Sequence, residues 1–221
     1  MKALALAFVV GLLVSAACAS GPAPTSAPAE LHAALEATPD PARGASLYST
    51  CAACHGEDGG GVPDGSVPRI AGQPARVLIG QLVAFRAAER RDIRMQHFTD
   101  RRHLERAQEL ADVASHVALL EPRLPATVGD GTRLVAGGDL YRARCESCHG
   151  VGGHADARTG LPALAGQHAP FTERQLAEAL QGKRPELDAK HRRAFSRLGP
   201  EDARALADHI SRLPPRTAPG G

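Results

Sequence analysis

The chain has 221 residues, with 26 Lys and Arg against 24 Asp and Glu and a formal net charge of +2. Charge is thus near balance overall, and the basic runs lack interleaved aromatics, which argues against nucleic acid. With no Trp, two Tyr and five Phe, few large side chains are available to build a core.

The first element, Met1–Ala19, reads as a secretory signal. Lys2 is a short basic start, Ala3–Val14 an apolar run, and small residues close it. The run is too short to span about 30 Å of hydrocarbon. Cys18 fits two endings. Cleavage after Ala17-Cys18-Ala19 discards it, whereas Ala16-Ala17-Cys18 can end a lipobox and leave Cys18 as a lipidated N-terminus. Ser15, where a lipobox prefers Leu, tilts the balance to a soluble exported protein; lipidation at Cys18 is the one route to a membrane. Residues 20–41, opening with Gly21-Pro22-Ala23-Pro24-Thr25-Ser26-Ala27-Pro28, are expected to be a linker.

Next comes Cys51-Ala52-Ala53-Cys54-His55-Gly56, which the chain repeats as Cys145-Glu146-Ser147-Cys148-His149-Gly150. Cys-x-x-Cys-His is the attachment pattern of c-type haem. Two thiols about one helical turn apart can add to the two vinyl groups on one porphyrin edge, and the histidine supplies an axial nitrogen. A four-cysteine zinc ribbon sets its pairs roughly 15–20 residues apart, and neither zinc nor a thioredoxin-like pair explains the His-Gly that follows each motif. The remaining cysteine, Cys18, leaves no pair for a structural disulfide.

The motifs belong to a longer duplication. His55 to Gly72 and His149 to Gly166 are both 17 residues, so Val67-Pro68-Arg69-Ile70-Ala71-Gly72-Gln73 lies over Leu161-Pro162-Ala163-Leu164-Ala165-Gly166-Gln167. Gln81-Leu82 then lies over Gln175-Leu176, and Leu110-Ala111-Asp112 over Leu206-Ala207-Asp208. Two units are predicted, 42–124 and 133–215, joined by 125–132 and followed by a tail, 216–221. Each is small for an independent core, so a covalently held apolar group would serve as core as well as cofactor.

The fold class is all-α. Val77, Leu78, Leu82 and Phe85 fall at helical spacing, as do Leu176, Ala179 and Leu180, where Thr172-x-x-Gln175 suggests a capping box. The last helices carry Leu110, Val113, Ala114 and Val117 in one unit and Ala203, Leu206, Ala207 and Ile210 in the other, with Pro200 in a first turn. Gly56–Gly72 and Gly150–Gly166 are predicted loops. Tyr48 stands three residues before Cys51 but Tyr141 four before Cys145, which puts any contact shared by the two tyrosines in doubt.

Gly-x-x-Leu-Tyr before Cys-x-x-Cys-His-Gly, then Pro-x-(Ile/Leu)-Ala-Gly-Gln, Gln-Leu and a methionine, resembles a class I cytochrome c. Duplicated over residues 42–213, the pattern resembles the di-haem cytochrome c-four type. The resemblance implies two α-helical domains, two covalently bound haem c groups, a periplasmic location and electron transfer between respiratory partners. It also implies that the carbonyls of Pro68 and Pro162 accept the Nδ1–H of His55 and His149 and fix the ligating tautomer.

Apart from the initiator, Met95 is the one methionine. It lies where the family's axial Met belongs, with His97 a nearby competitor. The second unit has no methionine. Met95 is 15 residues before Leu110, and the same count from Leu206 reaches His191. His191 is therefore expected to complete the second iron, with Lys190 or an open position as alternatives. A thioether ligand raises a haem potential and a second imidazole lowers it, so a high-potential first site and a low-potential second site are expected, electrons passing from the second to the first.

Arg86, Arg90, Arg91, Arg94, Arg101, Arg102 and Arg106 flank Met95, and Lys183, Arg184, Lys190, Arg192, Arg193 and Arg197 flank His191. They fit either solvated helix faces or basic rims that steer an acidic redox partner. A haem enzyme of peroxidase or sulfur-compound dehydrogenase type, or a gas sensor, would need an exchangeable second iron and acid–base groups. His154 and His168 are candidates by residue type, though they read more simply as solvated loop histidines. A docking carrier within a larger oxidoreductase is a third reading.

Overall fold

The structure, a computed structural model, describes residues 26–154 and 160–214. The predicted signal, Cys18 and the tail lie outside the described residues. Among the described residues there are ten helices and no strand, and no helix long and apolar enough to cross a membrane.

Helix α1, Ala27–Glu36, overturns the expectation that 20–41 is all linker. Ser26 caps it by accepting from the Ala29 N–H, a proline stands in its first turn, and Leu31, Ala34 and Leu35 fall at i, i+3 and i+4. The Ala/Pro-rich composition concealed an amphipathic helix. Ala34 is 1% exposed, and α1 lies on α3 (Ala75–Arg86) and α5 (Ala107–Ala118). With α2 (Pro41–His55) and α4 (Ile93–Phe98), these form unit 1, cored by Tyr48, Leu78, Val83, Leu110, Val113 and Val117. Unit 2 comprises α6 (Leu134–Arg144), α7 (Glu146–His149), α8 (Ala169–Leu180), α9 (Ala189–Phe195) and α10 (Pro200–Ile210). Its buried apolar cluster is thinner, with Tyr141, Leu206 and Ile210 among the described residues.

In both units the helix that leads into the Cys-x-x-Cys-His motif crosses the last helix at a glycine. Gly44 on α2 abuts the Asp112 carbonyl and the His116 Cβ of α5, and Gly137 on α6 abuts the Ala205 carbonyl and the His209 Cβ of α10. Tyr48 and Tyr141 sit 5.3 Å from those same two histidines, and each hydroxyl donates at 2.7 Å to the carbonyl of the glycine after the motif, Gly56 or Gly150. The unequal Tyr-to-Cys spacing therefore costs no shared contact. α2 is unbroken, whereas α6 ends at Arg144 and α7 begins at Glu146, the break at Cys145 absorbing the extra residue.

The crossings also place the two Leu-Ala-Asp triplets one helical turn apart, because Asp112 and Ala205 are each 68 residues beyond their glycine. The aspartates nonetheless do the same work from different turns. Asp112 accepts from the Asp40 N–H at 2.8 Å, and Asp208 from the Arg133 N–H at 3.1 Å, at the starts of α2 and α6. Thr172 does not open a helix: α8 begins at Ala169 after His168, and the Thr172 hydroxyl bonds back to the His168 carbonyl at 3.3 Å. Pro170 sets the earlier start.

The units meet through their Pro-x-x-Ala-Gly-Gln loops. Gln73 donates to the Ala163 carbonyl at 2.8 Å and accepts from the Ala163 N–H at 3.0 Å. Gln167 makes the same pair with Arg69, at 2.8 and 3.0 Å. The arrangement is a local two-fold, each loop giving what it receives. His168 is 2% exposed, not solvated. Its Nδ1 accepts from the Thr127 N–H at 3.0 Å, leaving its Nε2–H to donate to the Gly60 carbonyl at 2.9 Å.

A methyl group at Gly137 would meet backbone, which cannot turn aside. Gly137→Ala is expected to destabilise the protein by about 1–3 kcal/mol in chemical denaturation. Gly80→Ala, within α3 and with nothing within 4 Å of its new Cβ, is expected to be neutral or stabilising by about 0.5–1 kcal/mol. Equal effects at the two positions would contradict the crossing.

Candidate haem sites

In unit 1, α2 presents Cys51, half-buried, and Cys54, exposed, on successive turns. Burial pushes the Cys51 thiol up to about 11, and the Cys145 thiol likewise. His55 closes the helix at 6% exposure, and Gly56, at φ 79°, turns the chain away. The Nδ1–H of His55 donates to the Pro68 carbonyl at 3.0 Å, so Nε2 is the free ring nitrogen. Burial lowers the pKa of His55 despite that hydrogen bond and so favours the neutral ring a metal requires.

Met95 lies half-buried in the first turn of α4. Asp92 caps this helix by accepting from the N–H groups of Arg94 at 3.0 Å and Met95 at 3.3 Å. The charges of Arg94 and Asp92 also act on the His55 ring, in opposite directions, the first lowering and the second raising its pKa. His97, two residues on, faces away as i+2 must. It is exposed, with its ring against Phe98 and His103.

Unit 2 repeats the geometry with one change. Cys145 is half-buried, Cys148 exposed and His149 8% exposed. Burial lowers the pKa of His149, with the Pro162 carbonyl acting the other way. Its buried Nδ1 does not, however, close the hydrogen bond that His55 makes to Pro68. Asp188 caps α9, accepting from the His191 N–H at 2.8 Å and from its Nδ1–H at 2.9 Å. The His191 ring then stands 6.2 Å from the His149 ring, centroid to centroid. The two rings are inclined at 62°, and His149 and His191 are the imidazoles that would hold an iron in this unit. Lys190 is exposed on the neighbouring position of α9.

Met95 and His191 are thus each the third residue after a capping aspartate, Asp92 or Asp188. This match is independent of the count from the last helix, which the one-turn displacement makes unsafe. Between the Gln-Leu pairs and the caps unit 2 is two residues longer, and from Met95 or His191 to the crossing of the last helix, at Asp112 or Ala205, it is three residues shorter. A cavity of about 350 Å³ opens between α8 and α9, lined by Leu180, Leu187, Phe195 and Leu198, and neither His149 nor His191 borders it. His154 is half-buried on the loop after α7.

Several of the flanking cations are structural. The side chains of Arg86, Arg90 and Arg184 are 8%, 17% and 15% exposed. Arg90 reaches Gln81 of its own unit and, at 2.7 Å, Gln175 of the other. Burial holds its pKa down at about 10. Arg94, Arg102 and Arg106 pair with Asp92, Asp100 and Glu109. The repeat offset that relates His55 to His149 also relates Arg90 to Arg184, a signal that distinguished these two from surface arginines.

The Cytochrome c family model matches residues 41–120 and 134–214. The chain is 30% identical over 186 residues to cytochrome c4 of Pseudomonas aeruginosa, covering 79% of this chain and 89% of that one. It is 33% identical over 145 residues to a protein named thiosulfate dehydrogenase electron acceptor from Thiomonas intermedia, covering 62% of this chain and 65% of the relative. The crystal structure of reduced recombinant cytochrome c4 from Pseudomonas stutzeri superposes with a TM-score of 0.70 at 27% identity, over 80% of this chain and all of the other. Two Cys-x-x-Cys-His motifs, each with its histidine buried against a proline loop, fit two covalently bound haem c groups, and the chain belongs to the cytochrome c family as a tandem di-haem protein of the cytochrome c4 type.

Proposed function

We propose that this protein is an exported, periplasmic electron carrier with unlike irons: His55 and Met95 in unit 1, His149 and His191 in unit 2. Each haem, when bound, supplies a one-electron couple; what the chain contributes is its position and potential. The supporting observation is the His191 ring, 6.2 Å from His149 with its Nδ1 held by Asp188. A carboxylate on Nδ1 directs Nε2 inward and makes the ring a stronger donor. A second imidazole lowers a haem potential relative to a thioether, so electrons enter at unit 2 and leave from unit 1. The two proximal loops, hydrogen-bonded to each other through Gln73 and Gln167, keep the sites at a fixed separation.

An enzyme or gas-sensing role needs an exchangeable iron and acid–base groups beside it. His191 stands at the position such a role requires open, and both nitrogens of His168 are engaged at the interface. The name of the Thiomonas relative supports a sulfur-compound dehydrogenase as one class of electron donor. The cations left at the surface, Arg91, Arg192 and Arg193 among them, support docking of an acidic redox partner, a contact that raised salt would weaken.

Carbon monoxide added to the reduced holoprotein tests the ligand set. The wild type is expected to bind none, and His191→Ala to bind at one haem and lose the lower of two resolved midpoint potentials. Binding by the wild type would mean an open second iron and bring the enzyme or sensor reading forward. Coincident midpoints in the wild type would remove the directional relay.

A further inference from the structure

Helix α1 precedes the residues that the family model matches, which begin at 41, yet it carries one of the most buried ionisable side chains of unit 1. Glu30 is 3% exposed. It pairs with Arg86 of α3 and, at 3.0 Å, with Arg101. Arg86 uses its other donors on two carbonyls of the segment after α4, with Nε on Thr99 at 2.6 Å and a terminal nitrogen on Leu104. Thr99, 1% exposed, donates its N–H at 2.9 Å and its hydroxyl at 2.7 Å to the carbonyl of Met95. A continuous polar path therefore runs from the N-terminal helix through Arg86 and Thr99 to Met95.

We propose that α1 is a strap that holds Met95 at the iron of unit 1, with Glu30 a positioning residue acting through Arg86 and Thr99. This rests on Met95 being the sixth ligand. The two candidate ligands differ in what a protein can grip. An imidazole has a second nitrogen, and Asp188 holds that of His191 directly. A thioether offers only a weak acceptor, so its placement depends on the backbone that carries it. Removing one partner of a buried ion pair leaves the other charge uncompensated. Without the Glu30 carboxylate, Arg86 would remain buried beside Arg101, and its relief is to turn outward and release the Thr99 and Leu104 carbonyls. Met95 would then leave the iron more readily.

The test uses full-length oxidised holoprotein as wild type, Glu30→Gln, and Glu36→Gln as a control on the exposed face of α1. Imidazole titration follows loss of the near-infrared band of methionine-bound ferric haem, and amide exchange follows residues 99–104. Glu30→Gln is expected to take up imidazole at unit 1 about tenfold more tightly and to exchange about tenfold faster over 99–104. Glu36→Gln and the amides of unit 2 should be unmoved. The double variant Glu30→Gln/Arg86→Met removes both charges of the buried pair and should stay folded while still gaining imidazole affinity. Unchanged imidazole affinity in both variants would overturn the strap. A wild type without the band would instead overturn Met95 ligation, and with it this role, while the exchange rates would still report whether Glu30 holds the segment.

Discussion

Four hydrogen bonds between two loops, Gln73 with Ala163 and Gln167 with Arg69, govern the rest of the molecule. Each loop also carries the proline whose carbonyl faces a proximal histidine, Pro68 at His55 and Pro162 at His149. In unit 1 one short segment therefore orients an imidazole and fastens the unit to the other, whereas in unit 2 the loop fastens the units while the Nδ1 of His149 lies buried without closing the equivalent bond. A displacement of the unit 1 loop would be felt at the His55 Nδ1 and at the interface together. The flanking contacts follow the same axis. Arg90 touches the equivalent glutamines Gln81 and Gln175, and His168 bridges the linker to the Gly60 carbonyl. Duplication supplied two copies of a pocket, and the local two-fold makes the copies one body.

The halves are not equally built. Unit 1 has a broad apolar cluster reinforced by α1, whereas the described cluster of unit 2 rests on Tyr141, Leu206 and Ile210. A small domain with so little apolar surface gains from a covalently attached macrocycle, and unit 2 depends on that contribution more. In this account the ligands follow the same division. Unit 1 seats a thioether through remote backbone contacts, and unit 2 seats an imidazole through one local carboxylate.

What was legible in the sequence is what chemistry ties to spacing. Cys51, Cys54, His55 and their second copies had to stand at fixed intervals for thioether bonds and ligation, and the proline loops kept the same distance from them. The register of the last helix is hidden because alternating Leu and Ala at three- and four-residue spacing looks the same after a slide of one turn. Only the glycine crossings at Gly44 and Gly137 set its register. α1 was hidden by its Pro/Ala composition. The burial of Arg86 was hidden because its partners, Glu30 and the carbonyls of Thr99 and Leu104, lie far along the chain or belong to the backbone. His168 looked like a solvated histidine for the same reason, since Thr127 and Gly60 approach it from another loop and another unit.

The central claim is that the same pocket occurs twice with different sixth ligands. Low-temperature electron paramagnetic resonance with near-infrared dichroism on the fully oxidised holoprotein tests it most directly. The account predicts two low-spin ferric centres in equal amount, one with the signature of His/Met ligation and one with that of His/His. Two His/Met signatures, a lysine-bound centre or a high-spin second iron would contradict it.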